Sequence, residues 1–173
     1  HGVLPVVKHI PGHGRARADS HRELPTVATP LAEMEATDFV PFKVLSDAPW
    51  AMTAHVLYTA LDPDRPATQS PVVIETAIRR SIGFDGVLAS DDIGMSALKG
   101  DFRARAERSL RAGCDLVLHC SGDAAEMPAV IEGTGPLTPA AVARVARAEA
   151  LRTKTIEPFA VSEGLARLDA LLA

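Results

Sequence analysis

The chain has 173 residues, 47% hydrophobic, 4% aromatic and 23% charged, with a formal net charge of −4. That length suits a single domain over residues 1–173, about 100–200 residues being usual for one packed core. No apolar run approaches the roughly 20 residues that cross a bilayer, no charged-then-apolar amino terminus marks a signal peptide, and mild acidity with scattered basic residues argues against nucleic acid or membrane partners.

Strands and helices alternate along the chain. Val3–Val7 predicts a first strand leading into a polar, glycine-rich loop from Lys8 to Arg22. Thr29-Pro30 marks the start of a helix to about Ser46, with Leu31, Met34, Phe39 and Phe42 at apolar spacing. Trp50 to Tyr58 reads as a second strand that includes His55. A helix follows from Pro71 to Ile82, with Ser70 as N-cap and Gly83 at its end. Gly86–Ser90 is a third strand running into Asp91-Asp92, and Asp101–Ala112 a helix ended by Gly113. Asp115–Cys120 is a fourth strand, and helices near 123–132, 138–155 and 160–172 complete the chain. Short, nearly continuous apolar strands alternating with helices predict a parallel sheet of right-handed βαβ units, an α/β fold.

Chemistry in such folds gathers at the carboxyl ends of strands. All four predicted strands place polar groups there: Lys8-His9, His55, Asp91-Asp92 and His119. Four units are half of a closed eight-unit barrel, which needs about 250 residues. The chain opens on His1, and its first residues already read as a buried strand, so a piece of something longer is expected. Cys114 and Cys120 share one apolar stretch, which fits a reducing compartment better than a disulfide framework.

The densest polar segment is Lys8-His9-Ile10-Pro11-Gly12-His13-Gly14, followed by Asp19-Ser20-His21. Asp19 and His21 are two positions apart, so a tight turn lets the carboxylate accept from Nδ1 and leaves Nε2 free to exchange a proton. The plainer alternative is a turn with solvated histidines. Of the paired acids at the third strand's end, Asp91 would point to the mouth of the sheet and Asp92 would cap the next helix. A carboxylate facing a His/Asp pair suits retaining glycoside hydrolysis. It also suits metal-assisted hydrolysis with His9, His13, Asp19, His21 and His55 or Asp91 as ligands. Lys8 beside His9 disfavours a dication.

The first motif, with Leu24-Pro25 after it, resembles the KH(F/I)PGHG…DSH…LP signature of family 3 glycoside hydrolases. Within that family it is similar to the bacterial β-N-acetylglucosaminidases of peptidoglycan recycling. Met52-Thr53-Ala54-His55-Val56, Gly83-Phe84-Asp85-Gly86-Val87 through Met95, and Ala112-Gly113-Cys114-Asp115 extend the match over roughly residues 3–125. The resemblance implies Asp91 as nucleophile, His21 as general acid/base, Asp19 as the residue orienting it, and Lys8 and His9 as sugar-binding residues. It implies a cytoplasmic enzyme without metal or cofactor that takes terminal β-linked N-acetylglucosamine from anhydro-muropeptides. His13, His55, Ser20, His119, Cys114 and Cys120 are read as structural. The family's barrel begins upstream with four further strands, so the chain is expected to be its carboxyl-terminal half. The missing amino-terminal half would be a partner, in the same or a companion chain. An inactive half-barrel is therefore a further alternative.

Overall fold

The structure is a computed structural model that describes residues 2–152 and 160–172. In chain order it contains β1 (Val6–Ile10), β2 (Thr26–Val27), α1 (Leu31–Ala36), α2 (Val40–Val44), β3 (Trp50–Thr53) and β4 (Leu57–Tyr58). A wide-wound helix, Val73–Ile82, follows. Then come β5 (Val87–Asp92), α3 (Phe102–Ala112), β6 (Leu116–Leu118), α4 (Met127–Glu132), α5 (Pro139–Ala150) and α6 (Val161–Leu172). The main sheet is parallel and ordered β1-β3-β5-β6, while β2 and β4 form a separate parallel pair. The predicted alternation of parallel strands and helices is therefore what the chain adopts.

Local chemistry sets most element ends. Ser70 Oγ accepts from Val73 N at 3.1 Å at the start of the Val73–Ile82 helix, and Gly83 ends it at φ +82°. Asp101 caps α3 through Ala104 N at 2.8 Å, and Gly113 closes it at φ +117°. Thr138 caps α5 in the same way, with Pro139 in the first turn, where its missing N–H costs nothing.

Some boundaries depart from the sequence expectation. The first strand is Val6–Ile10 rather than Val3–Val7, so Lys8 and His9 belong to the strand and not to the loop. Their backbone is drawn in by pairing: Lys8 lies opposite Met52 and Ile10 opposite Thr53. The predicted 29–46 helix is two short ones. Thr37 Oγ1 turns back onto Glu33 O at 2.8 Å, and Pro41 lacks the N–H to continue α1, so a new helix starts there. The predicted 50–58 strand breaks at Ala54–Val56, after which Leu57–Tyr58 pairs with β2. The last strand is shorter than expected, and α4 starts at Met127 rather than near 123. Residues 153–155 of the predicted 138–155 helix lie outside the described residues.

The principal core packs Ile10, Ala51, Leu88, Val73, Ala77 and Ile78 with Met34 and Phe39. A smaller cluster of Ile93, Leu98, Ala106 and Val130 lies under the segment after β5. The row formed by Lys8, Met52, Ala89 and Leu116, in register across all four strands, is exposed or half-buried throughout. One sheet face is thus covered by helices and the other is open.

Gly86 marks the tightest approach at the entry to β5. A Cβ there would stand 2.6 Å from Ala48 O and 2.8 Å from Pro49 O, both main-chain atoms that cannot step aside. Gly86→Ala is expected to lower stability by about 1–3 kcal/mol through overpacking. Urea denaturation checks this, and an unchanged midpoint would count against it.

Candidate active site

Parallel strands bring their carboxyl ends to one side of the sheet, and the acidic end of β5 lies at the centre of that side. Asp91 Oδ1 accepts from Asp92 N at 2.8 Å, and Asp91 Oδ2 lies 3.4 Å from His9 Nε2 on β1. Both side chains are partly buried, with 16% and 28% exposure, so the pair is sheltered yet reachable. Burial holds His9 below its ordinary pKa. The Asp91 charge opposes that, and Lys8, His13 and His21 add to the lowering. His13 meets His9 edge-on, with ring centroids 5.8 Å apart. Lys8, His9, His13, Asp38 and Phe42 line a shallow hollow beside this pair.

The Asp19–His21 pair sits on an exposed turn. Asp19 Oδ1 lies 2.9 Å from His21 Nδ1 and accepts from His21 N at 3.0 Å. Arg22 N and Glu23 N both donate to Asp19 O, which closes the turn. The His21 amide and then its ring hold the Asp19 carboxyl below the usual range. With Nδ1 facing an acceptor-only carboxylate, the neutral ring carries its hydrogen there and Nε2 is bare. Ser20 between them is buried, and its carbonyl accepts from Ala97 N at 3.3 Å. The turn is therefore attached to the segment that follows Asp91.

Further residues frame the site from beneath and behind. His55 is fully buried: Nε2 lies 2.9 Å from Asp92 O, and Nδ1 lies 2.7 Å from Thr68 Oγ1. Burial lowers its pKa, against the hydrogen bond to the Asp92 carbonyl and the charges of Asp91 and Asp92. Tyr58 donates to Gly12 O at 2.5 Å and Arg15 pairs with Asp38, so the Pro11–Gly14 turn is held from both sides. Arg105 Nη1 donates to Ile93 O at 2.8 Å and Met95 O at 3.2 Å, shaping the segment after β5. The sequence marked His55 by its place in the predicted second strand and in the Met52–Val56 motif, whereas the roles of Tyr58 and Arg105 carried no such mark.

Asp92 does not cap a helix as expected. Its Oδ1 accepts from Gly94 N at 2.8 Å and from Cys120 N at 3.1 Å, stitching the ends of β5 and β6 together, because α3 starts later and has its own cap in Asp101. Among the described residues, no three His, Cys, Asp or Glu side chains are placed to hold a metal ion. The ring of His9 faces Asp91 and that of His21 faces Asp19, so the His9–His21 segment does not gather as a ligand set.

His9 and His55 are both held below 6.5, so the unfolded chain takes up protons at a higher pH than the fold does. Stability therefore rises with pH between the folded values and 6.5, and is lost on acidification. Thermal unfolding from about pH 7 down to about pH 5 is expected to show a falling Tm. His55→Gln should flatten that slope even as it lowers stability at neutral pH. A slope untouched by the substitution would assign the acid sensitivity elsewhere.

Residues 1–148 match the family described as glycosyl hydrolase family 3 N terminal domain. The beta-hexosaminidase of Tolumonas auensis is 42% identical over 137 residues, which cover 76% of this chain and 40% of that protein. That of Methylococcus capsulatus is 38% identical, covering 99% of this chain and 49% of its own. The chain thus spans half or less of the length of these relatives. Among solved structures, a family 3 β-N-acetylglucosaminidase from Paenibacillus superposes with a TM-score of 0.79 at 30% identity, covering 92% of this chain and 34% of that one. Native NagZ from Neisseria gonorrhoeae gives 0.74 at 34% identity, covering 90% and 44%. The family match spans residues 1–148 and the superpositions about nine-tenths of the chain, and the chain belongs to glycosyl hydrolase family 3.

Proposed function

We propose that this chain carries the catalytic groups of a retaining β-N-acetylglucosaminidase that removes terminal β-linked N-acetylglucosamine from peptidoglycan fragments. The observation that carries the reading is the Asp19–His21 pair at 2.9 Å, on a turn attached through Ser20 to the segment following Asp91. The names of the relatives, beta-hexosaminidase and β-N-acetylglucosaminidase, support the same chemistry.

Two displacements follow in sequence. The Asp91 carboxylate attacks the anomeric carbon while the protonated His21 gives its Nε2 hydrogen to the departing glycosidic oxygen, leaving a glycosyl ester on Asp91. Water then attacks the same carbon, His21 Nε2 takes its proton, and the Asp91–sugar bond breaks with retention. A ring that must give and then take a proton works best when it titrates near neutrality. Asp19 keeps Nδ1 occupied, so that Nε2 alone does the exchange. Lys8 and His9, lining the hollow beside Asp91, hydrogen-bond sugar hydroxyls. This chemistry needs no metal or cofactor.

The sugar pocket is completed by the amino-terminal half of the barrel, in the same or a companion chain. The open row Lys8–Met52–Ala89–Leu116 supports this, as do relatives of more than twice the matched length. The proposed location is the cytoplasm. Two free thiols fit it, one buried and one exposed, and no helix among the described residues is long and apolar enough to cross a membrane.

With the complete barrel present, Asp91→Asn is expected to reduce hydrolysis of an aryl β-N-acetylglucosaminide by on the order of 10³-fold or more. Undiminished turnover would remove Asp91 from the mechanism. His21→Ala should cost roughly 10²–10⁴-fold on substrates with poor leaving groups and far less on activated ones. Equal loss on both would sink the acid role. If the 173 residues alone hydrolyse the substrate as fast as the complete barrel, the missing half is not needed for the pocket.

A further inference from the structure

One polar cluster beside the site takes no part in the chemistry above. His119 follows β6 and its side chain is only 3% exposed. Its Nε2 lies 2.7 Å from Glu126 Oε2 and 3.0 Å from Ser121 Oγ, and Ser121 Oγ also donates to Glu126 Oε2 at 2.5 Å. One face of the ring is closed by Phe102 of α3, with centroids 4.7 Å apart. The other nitrogen, Nδ1, is buried and has no hydrogen-bond partner among the described residues, and it lies 3.6 Å from Asp92 Oδ1. A buried polar atom without a partner is costly, so an arrangement that leaves one beside a carboxylate calls for a reason.

The same Asp92 oxygen accepts from Gly94 N and Cys120 N, and Asp92 N donates to Asp91 Oδ1. Asp92 is thus the knot between the end of β5, the end of β6 and the Asp91 carboxylate. His119 is the only side chain among the described residues with a ring nitrogen within 4.0 Å of that carboxylate. Arg105 of α3 is the cation whose charge also acts on it, but its guanidinium is occupied by the carbonyls of Gly100, Ile93 and Met95.

We propose that His119 is a positioning residue: anchored by Glu126 and Ser121, it presents Nδ1 to Asp92 and fixes the carboxylate that ties Gly94 to Cys120, next to the Asp92 backbone N–H that Asp91 accepts from. Both neighbours are carboxylates, which accept only, so filling both contacts takes a hydrogen on each ring nitrogen. A small rotation of the ring or of Asp92 then closes the 3.6 Å gap to hydrogen-bonding distance. The catalytic meaning rests on Asp91 being the nucleophile, but the clamp itself does not.

Nitrogen NMR of the ring in the 173-residue chain near neutral pH tests this directly. The expected signature is hydrogen on both Nδ1 and Nε2, with Glu126→Gln and Asp92→Asn each returning the ring to a single hydrogen. A wild-type ring with a bare Nδ1 overturns the proposal. Amide exchange at Gly94 and Cys120 is the second readout: His119→Phe keeps the volume but not the nitrogen, and should speed exchange there about tenfold while leaving the Ala51 and Leu88 amides unchanged. Exchange at Gly94 and Cys120 unchanged in that variant likewise overturns it. Neither readout depends on turnover, so loss of the nucleophile reading and loss of this one are told apart.

Discussion

A neutral imidazole buried beneath the candidate site ties the end of β3 to the end of β5, the strand that carries Asp91. His55 gives its Nε2 hydrogen to Asp92 O, which leaves Nδ1 to accept from Thr68 Oγ1, and Thr53 Oγ1 lies 2.8 Å behind that hydroxyl. All three side chains are fully buried. The chain Thr53–Thr68–His55–Asp92 therefore runs from the end of β3 to the end of β5 without a polar atom left over, and the fixed donor direction specifies one arrangement. Everything above it inherits that placement: Asp92 N then meets Asp91 Oδ1, and Asp91 Oδ2 faces His9.

The register of the sheet accommodates this knot. β5 and β6 slip relative to each other between Ala89 and Asp92, and Ser90 Oγ fills the gap by accepting from Leu118 N at 2.9 Å. β1 and β3 slip in the same way between Lys8 and Ile10. Both irregularities fall at the end of the sheet that carries the polar residues. Strand irregularities commonly re-aim side chains near sites, and here they lie beside Asp91 and His9. At the other end of the strands the charges are paired among themselves: Asp115 takes Arg79 and Arg144, and Asp85 takes Arg144 and Arg147. The hollow that Arg144 and Arg147 line is thus a structural joint between α5 and the turns before β3 and β5.

How much of this was legible depended on whether the deciding force was local. The helix ends at Ser70, Gly83, Asp101 and Gly113 are side-chain or dihedral effects within a few residues, and they lie where the sequence placed them. The Asp19–His21 contact is equally local, and the two-residue spacing anticipated it. What the sequence could not carry was tertiary. Lys8 and His9 read as loop because they are polar, yet pairing of Lys8 with Met52 and of Ile10 with Thr53 carries both into the strand. Asp92 read as a helix cap because acids precede helices, yet its partners are Gly94 and a residue 28 positions away. The roles of Thr68 and Arg105 likewise depend on contacts 13 and 12 positions distant.

The two faces of the sheet differ in what they leave open. Ala51 and Leu88 are fully buried in the core shared with the helices. Lys8, Met52, Ala89 and Leu116 point the other way and stay open. β1 and β6, the outer strands, each keep one edge of main-chain N–H and C=O groups outside the ladder. In a closed parallel barrel those edges pair with neighbouring strands, and the open row becomes the filled interior. Closure would leave the Thr53–Thr68–His55 chain and the Asp19–His21 turn as they are, since their partners already lie within this chain. The contacts that orient Asp91, His9 and the Asp19–His21 turn thus lie within this chain, whereas the open row and the two outer edges are what closure would cover.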